Sequence, residues 1–285
     1  MDKVNVGIVL LNWNSYYDSS ECIRSILRSS HSHYRIYVVD NNSQDDSAEQ
    51  LKTEFGDKIV LIYNEANLGF AKGNNIGINQ AIIDGSDYIW VLNNDTVVNS
   101  ESLASLVAYM RSDYDIGLSG SVLYEYLEPW EIQAWGGGTY NKFLGTTRSV
   151  KKKKDGIQHI IGASMFFSVE CLKKCGMFDE RFFFYMEDTE LSLRIRDRGY
   201  KIGVAENSFV FHKGGSSTGE VKGIKSEKSD LLYARAVGAF MRTQKFPIYL
   251  VVLRVCLMIF NRLKRRQYNR VISIVNSLRL GYLES

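Results

Sequence analysis

The 285-residue sequence predicts an α/β fold with a mostly parallel central sheet flanked by helices, and three observations lead there. Apolar runs of strand length alternate with segments of helical spacing through the first half of the chain. Those runs are apolar at nearly every position rather than every second one, which marks strands buried on both faces, as in a parallel sheet. Several of them run into Asn or Asp, at the strand ends where an open parallel sheet holds its ligands.

Taken in order, "VNVGIVLL" (residues 4–11) is the first buried strand, and Cys22, Ile23, Ile26 and Leu27 form one face of the helix after it. "YRIYVVD" (34–40) is a second strand that ends on Asp40. The following segment to residue 55 starts a helix, with Ser43 or Asp45 as its N-cap and acidic residues in the first turn. "IVLIY" (59–63) is a third strand, 72–83 a helix, and "YIWVL" (88–92) a fourth strand running into Asn93, Asn94 and Asp95. This β-α order argues for parallel strands joined by crossover helices.

After residue 116 the rhythm changes. "IGLSGSVLYEY" and "AWGGGTY" read as strands and turns, 146–156 as an exposed loop whose four lysines form a solvated tip, and "HIIGASMFFSV" (159–169) as one more buried strand. A helix over about 187–198 opens on Glu187 and Asp188 and turns Leu191 and Ile195 inward. Residues 213–230 are polar, glycine-rich and charged, the composition of a mobile lid that closes over bound substrate. The expected organisation is one domain over 1–228, with a nucleotide-binding half to about 115 and an acceptor half over 116–228, then a C-terminal helical extension over 229–285.

That extension has its own chemistry. Residues 246–260 are apolar apart from Arg254, and this is shorter than the roughly 20 residues needed to cross a bilayer. From Lys245 to Arg270 there are seven basic residues and no acidic ones, and Tyr268, Val271, Ile272, Val275 and Leu278 keep helical spacing. Two compatible readings follow: a helical cap on the domain, or a segment lying in a membrane interface with basic groups against anionic lipid.

Composition excludes several classes. A net charge of +3 and no basic-aromatic face argue against nucleic acid as a partner. The N-terminus lacks the pattern of a secretory signal, and the four scattered cysteines read as reduced thiols. Cys171 and Cys175 share a helix face, a spacing that a metal or redox site would also use, but buried thiols are the favoured reading. The expected location is cytoplasmic, peripheral on the inner face of the cell membrane if the tail meets lipid.

The chemistry lies at the strand ends. No G-x-G-x-x-G follows the first strand, and "GGSSTGEV" places Glu220 where a phosphate loop needs lysine. What remains is Asn12 and Asn14, Asp40 and Asn42, and Asn94 and Asp95, converging on one crevice. Asp40 could accept from a base N–H, and Asp95, nearer the phosphates, suits a divalent cation shared with phosphate oxygens. Asn12 and Asn42, taken singly, read as turn or cap residues. Glu187 and Asp188 sit at the positive end of a helix, which favours ionised carboxylates, while their mutual repulsion raises one of the two pKa values.

With these residues in view the chain resembles the family 2 glycosyltransferases of GT-A fold, in the branch that includes bacterial rhamnosyltransferases. The matching stretches are "VLLNWN" (9–14), "VVDNNSQDDS" (38–47), "NEANLGFAKGNNIGI" (64–78), "VLNNDT" (91–96), "IGASMFF" (161–167), "GMFDERFFFYMEDTELSLRIRDRGY" (176–200) and "VFHKGGSS" (210–217). The resemblance implies that Asp40 recognises a pyrimidine base, that Asp95 is the metal-binding member of the D-x-D position, and that His212 completes a site for Mn²⁺ or Mg²⁺. It implies Asp188 as catalytic base, with Glu187 beside it. Asn93 departs from the pattern, since many relatives carry aspartate there; it would hydrogen-bond the donor instead. Donor contacts are expected from Asn12, Asn14, Asp40, Asn42, Gly69, Lys72, Asn74, Asn93, Asn94 and Asp95. Gly69 and Gly73 would admit the donor to the backbone, although a helix start explains them almost as well. Trp135, Gly162 and Ala163 are the expected acceptor contacts, with a core tryptophan the equal alternative for Trp135.

The implied function is inverting, metal-dependent transfer of a sugar from a UDP- or dTDP-activated donor, dTDP-L-rhamnose being favoured, to a saccharide or polyprenyl-linked acceptor. The alternative is a catalytically silent sugar-nucleotide or glycan-binding module of the same fold. A nucleotidyltransferase is disfavoured, because "VLLNWNSYYDSS" has no glycine, lysine or arginine.

Overall fold

The computed structural model describes residues 4–153, 156–214 and 226–284. Its first part runs β1 (Val6–Asn12), α1 (Tyr16–Ile26), β2 (Tyr34–Asp40), α2 (Ser47–Phe55), β3 (Ile59–Tyr63), α3 (Gly69–Ile83) and β4 (Tyr88–Leu92). These strands lie side by side in the order β3-β2-β1-β4, all parallel. Successive residues of β1 serve opposite faces of the sheet, as the two-residue strand period requires. Ile8 and Leu10 pack with Ile23 and Ile26 of α1, and Val9 packs with Ile78 and Ala81 of α3. Helix α3 lies very close to the sheet: a Cβ at Gly77 would stand 2.5 Å from Val9, and one at Gly73 would stand 2.6 Å from Leu11. The glycines of "KGNNIGI" therefore serve helix–sheet packing.

The chain continues through β5 (Thr96–Val98), α4 (Ser102–Arg111), β6 (Ile116–Glu125), β7 (Ile132–Ala134), β8 (Gly137–Asn141), β9 (Thr146–Ser149), β10 (His159–Ile160), β11 (Ser164–Ser168), α5 (Val169–Cys175), α6 (Glu187–Asp197) and β12 (Lys201–His212). The central sheet extends as β4-β11-β6-β12-β5, with β7 also on β6, while β8, β9 and β10 form a small antiparallel sheet. This second half is mixed: β11 runs antiparallel to β4 and β6, β12 parallel to β6, and β5 antiparallel to β12.

Several expectations need correction here. Residues 159–169 are not one strand but two, β10 and β11, in different sheets. The break comes where Ile161 N–H donates to the Gly136 carbonyl and Gly162 N–H donates to Asp188, so the backbone leaves one ladder for a different set of acceptors. Residues 146–149, expected in a loop, pair with β8. Neither Ser43 nor Asp45 is the N-cap of α2, which starts at Ser47; Ser43 is held by Asp40 instead. Helices α4 and α5 come in addition to the expected elements. All four cysteines are free and three are buried. Most of the expected lid, together with Lys154, lies outside the described residues.

Three helices end the chain: α7 (Glu227–Thr243), α8 (Ile248–Lys264) and α9 (Val271–Leu283). Ser226 caps α7 by accepting from the Ser229 N–H at 3.1 Å. Helices α7 and α9 cross through glycines, since a Cβ on Gly238 would lie 2.1 Å from the Leu278 carbonyl oxygen and one on Gly281 2.0 Å from that of Arg235. Their apolar faces share a core with Phe182, Met186 and Leu193, so this layer supports the segment leading into α6.

Candidate active site

Three parallel strands deliver the first corner. The register pairs Asn12 with Asp40 at the carboxyl ends of β1 and β2, and the buried Asn12 amide donates to Asp40 Oδ1 (2.8 Å), Ser47 Oγ (3.0 Å) and Ser43 Oγ (3.2 Å). Its Oδ1 accepts from Ser19 (2.7 Å), which in turn accepts from the Asn94 amide (2.8 Å). Asp40 also accepts from Ser43 N–H (2.9 Å) and Ser43 Oγ (2.6 Å). Asn12 is thus the hub that fixes Asp40 and ties it to Asn94, in keeping with its reading as a structural residue. Asn14 and Asn42 both hold left-handed backbone, φ 51° and 60°, which asparagine tolerates better than most residues. Asn14 Oδ1 accepts from Gln44 N–H at 2.6 Å, closing the loop after β1 onto the loop after β2.

Donor-side expectations on α3 fare differently. Gly69 has φ +78°, and a Cβ there would stand 2.3 Å from the Phe183 carbonyl oxygen, so the close neighbour that its missing side chain admits is the protein's own 183 backbone. Lys72 lies 3.8 Å from Glu180 and is half exposed. Asn74 donates to the Phe70 carbonyl, and its buried Oδ1 has no partner. Sequence reasoning passed over Asn41. Its Oδ1 accepts from Asn64 and from Leu68 N–H, each at 3.0 Å, pinning the loop that enters α3.

The second corner forms where β5 pairs with β12, with His212 opposite Thr96. This brings His212 Nε2 to 3.3 Å from Asp95 Oδ1 and 3.4 Å from the Asn93 amide. The imidazole tautomer follows from its other side. Gln133, on β7, turns its amide NH₂ toward Glu125 Oε2 (3.1 Å) and its Oε1 toward His212 Nδ1 (2.7 Å). With an acceptor facing Nδ1, Nε2 is the ring nitrogen that a cation beside Asp95 would meet. A carboxylate oxygen and an imidazole lone pair at this separation are a donor set that a Mg²⁺ or Mn²⁺ ion fits, with diphosphate oxygens and water filling the remaining positions. No group of three ligating side chains occurs among the described residues, so the protein's share would be these two. Gln133 carried no signal in the sequence, because its role depends on a three-residue strand. Next to His212, Lys213 pairs with Asp18 (2.7 Å) and Glu21 (2.6 Å). Burial opposes its charge, but these two carboxylates outweigh that and raise its pKa.

The third corner is the start of α6. Tyr185 and Met186 hold consecutive left-handed φ values of 75° and 68°, a conformation that costs on the order of 1–3 kcal/mol per residue. The surroundings impose it: Tyr185 hydroxyl bonds Ser229 of α7 at 2.6 Å, and Met186 is buried in the core formed with the C-terminal helices. Arg194 anchors the helix from below, bonding Glu190 and the carbonyls of Cys175 and Met177. Asp188 then accepts from Gly162 N–H (2.9 Å) on one oxygen and from Thr189 N–H (2.6 Å) on the other. Glu187 turns inward, with Oε2 buried and unpartnered; burial, and after it the charge of Asp188, push its pKa well up. The two neighbouring carboxylates thus sit in unlike surroundings, Asp188 held by two backbone donors and Glu187 buried without a partner on Oε2. His159, also buried, has neither ring nitrogen partnered, and burial lowers its pKa against the opposing pull of Asp188.

Gly162 and Ala163 join the second and third corners. The Ala163 carbonyl accepts from Asn93 N–H (3.0 Å), while Gly162 N–H holds Asp188. A Cβ on Gly162 would make only ordinary contact with Asp188, at 3.5 Å, so packing does not require glycine there and the space beside the carboxylate stays open. Trp135 is partly buried against the core that includes Val122, Ile157 and Ile160; its N–H donates to the Val150 carbonyl and its carbonyl accepts from Gly137 N–H.

Comparison with known proteins addresses family and fold. The UDP-Glc:alpha-D-GlcNAc-diphosphoundecaprenol beta-1,3-glucosyltransferase of Escherichia coli is 28% identical over 151 residues, which cover 50% of this chain and 56% of that enzyme. The dTDP-rhamnosyl transferase RfbF of Shigella flexneri is 23% identical over 257 residues, 87% of this chain and 83% of that one. In fold, the mannosyltransferase PcManGT from Pyrobaculum calidifontis, solved with GDP-Man and Mn²⁺, superposes with a TM-score of 0.63 at 12% identity, covering 99% of this chain and 88% of that one. The profile of glycosyl transferase family 2 matches residues 8–176, more than half of the sequence, and the chain belongs to that family.

Proposed function

We propose that this protein is an inverting, metal-dependent glycosyltransferase that moves a hexose, with L-rhamnose from dTDP-L-rhamnose favoured, onto a saccharide acceptor carried on a polyprenyl lipid at the inner face of a bacterial membrane. The observation that carries the reading is the bridge at Gly162 and Ala163, which links the Asp95–His212 pair and the Asp188 carboxylate. Displacing a nucleoside diphosphate from an anomeric carbon makes two demands, and the two centres match them.

Asp95 and His212 would hold the divalent ion, whose chemistry is to neutralise charge growing on the leaving diphosphate. Asp40, fixed by Asn12 and Ser43, would orient the pyrimidine by accepting from its ring N–H. Asp188 takes the proton of the acceptor hydroxyl as the new bond forms, a role of general base. Its two backbone donors, Gly162 N–H and Thr189 N–H, keep it aimed. A single base without a covalent nucleophile gives direct displacement and inversion.

The donor preference is supported by the dTDP-rhamnosyl transferase similarity across 87% of the chain, and the lipid carrier by the diphosphoundecaprenol substrate in the name of the glucosyltransferase relative. Calorimetry with UDP- and dTDP-sugars, with and without Mn²⁺, tests the reading on wild type and Asp95→Ala. Metal-dependent binding of one donor, lost in the variant, is the expected result. Absence of binding by every nucleotide sugar would remove the proposal.

A further inference from the structure

Helix α8 is built inside out. On a helix at a water-facing surface, apolar residues turn to the core and charged ones to solvent. Here Arg254 is only 9% exposed and reaches the Tyr233 hydroxyl at 3.1 Å. One turn pair further on, Arg262 bonds Asp230 Oδ1 (2.7 Å), and Arg270 in the following 3₁₀ turn bonds Asp230 Oδ2 (2.8 Å). Asp230, on α7, is buried and forks between the two guanidinium groups. The opposite side of the same helix carries Ile248, Tyr249, Val252, Leu253, Phe260 and Leu263, each between 43% and 68% exposed. The arginine contacts fix the rotation of the helix, so this apolar ridge is held outward by design of the inner face.

We infer that the ridge of α8 is a docking surface for an anionic lipid bilayer, and that the helix lies in the plane of the interface. Its 17 residues span only about 25 Å at 1.5 Å per residue, and no described helix is long and apolar enough to cross a membrane. Charge selects lipid over a second copy of the chain. Lys264, Arg265 and Arg266 are exposed at one end of the ridge, Lys245 is exposed just before the other, and no acidic residue occurs between Lys245 and Arg270. Two copies meeting face to face would bring these cations together, whereas phosphate headgroups complement them. The inference deepens the membrane-side placement proposed above and rests on it for its biological sense, but its physical basis is the geometry of α8 alone.

Cys256 supplies the probe. It sits exposed on α8 while the other three cysteines are buried, so a single environment-sensitive fluorophore can be attached there without mutation. The full-length protein should co-sediment with phosphatidylglycerol–phosphatidylcholine vesicles, more weakly as salt rises, and the fluorophore should shift to the blue on binding. Leu253→Glu with Phe260→Glu, at exposed positions, should weaken vesicle binding more than tenfold while leaving the thermal midpoint unchanged. Lys264→Glu, Arg265→Glu and Arg266→Glu together should do the same, at roughly fivefold for each charge lost. Binding to neither anionic nor neutral vesicles, binding without a fluorophore shift, or a dimer in light scattering that Phe260→Glu dissolves would each overturn the inference. Donor calorimetry on the same samples separates the two ideas: donor binding with no vesicle binding removes only the docking surface, and the converse removes only the transferase reading.

Discussion

Asn12 and Glu187 are both buried polar side chains, and their surroundings differ in kind. Asn12 has every polar atom engaged, in bonds of 2.7–3.2 Å to Asp40, Ser19, Ser43 and Ser47. Glu187 keeps an oxygen with no partner, and His159 keeps two unpartnered ring nitrogens. The backbone differs likewise: the donor corner uses asparagines in left-handed turns, while the base corner forces Tyr185 and Met186 into that region. Buried unpartnered groups cost stability, roughly 1–3 kcal/mol each, and strained residues add to that. A fold keeps such a region where chemistry needs it. The Asn12 corner is held by a fully satisfied network, whereas the Glu187 corner keeps buried groups without partners beside a strained backbone.

The sharpest separation of the two comes from Asp188→Asn. The amide preserves shape and loses the base, so transfer should fall by about 10²–10⁴-fold while donor affinity stays within about twofold. Calorimetry and single-turnover transfer assays on one preparation measure both. If donor affinity falls along with rate, the corners are not independent and the assignment of Asp188 to proton transfer is wrong.

Legibility in the sequence followed the same divide. Strands buried on both faces announce themselves as unbroken apolar runs, so β1 to β4 and the polar residues at their ends could be read directly. Asp40 and Asp95 stand at the ends of such runs, and Asp188 at the start of a helix, positions that local pattern marks. What the sequence hid were partners set by long-range pairing. Gln133 lies on a three-residue strand, and its bond to His212 spans 79 positions. His159 looked like the start of a strand continuous with 164–168, because the break at 161–163 depends on acceptors from Gly136 and Asp188 that only folding supplies. Gly69 reads as a residue for ligand approach, yet the nearest atom to its missing Cβ is the carbonyl oxygen of Phe183. Local pattern reports what a residue does to its neighbours in sequence, and these three act on residues far away.

Gln133→Leu sharpens the comparison from the metal side. The substitution removes the acceptor that holds the His212 proton on Nδ1 and leaves the ligand itself intact. Loss of such an outer partner lowers metal affinity by about 10–100-fold. Mn²⁺ titration by calorimetry should show that loss, and the expected recovery is partial with Gln133→Glu, which restores an acceptor toward Nδ1. Unchanged Mn²⁺ affinity in the leucine variant would mean that His212 is oriented by something other than Gln133.

The smallest effect separates the corners by pH. In the unfolded chain Glu187 ionises near its ordinary value of 4.5, whereas burial in the fold keeps it protonated to higher pH. The folded state then binds the extra proton, so this group's contribution is fully present below pH 4.5 and is lost as pH rises through the folded pKa, with a slope of at most about 1.4 kcal/mol per pH unit. His159 acts in the opposite sense. Its folded pKa lies below 6.5, so its contribution is present above pH 6.5 and is lost as pH falls. The two slopes are opposite in sign wherever both groups titrate. Urea unfolding from pH 4 to 9 should therefore show wild type losing stability relative to Glu187→Gln as pH rises above 4.5, because the variant carries no proton to lose and the His159 contribution is common to both. The difference between the two curves isolates Glu187 from every other titrating group. Parallel curves across that range would show that folding leaves the Glu187 pKa where it stands in the unfolded chain, against the effect of its burial.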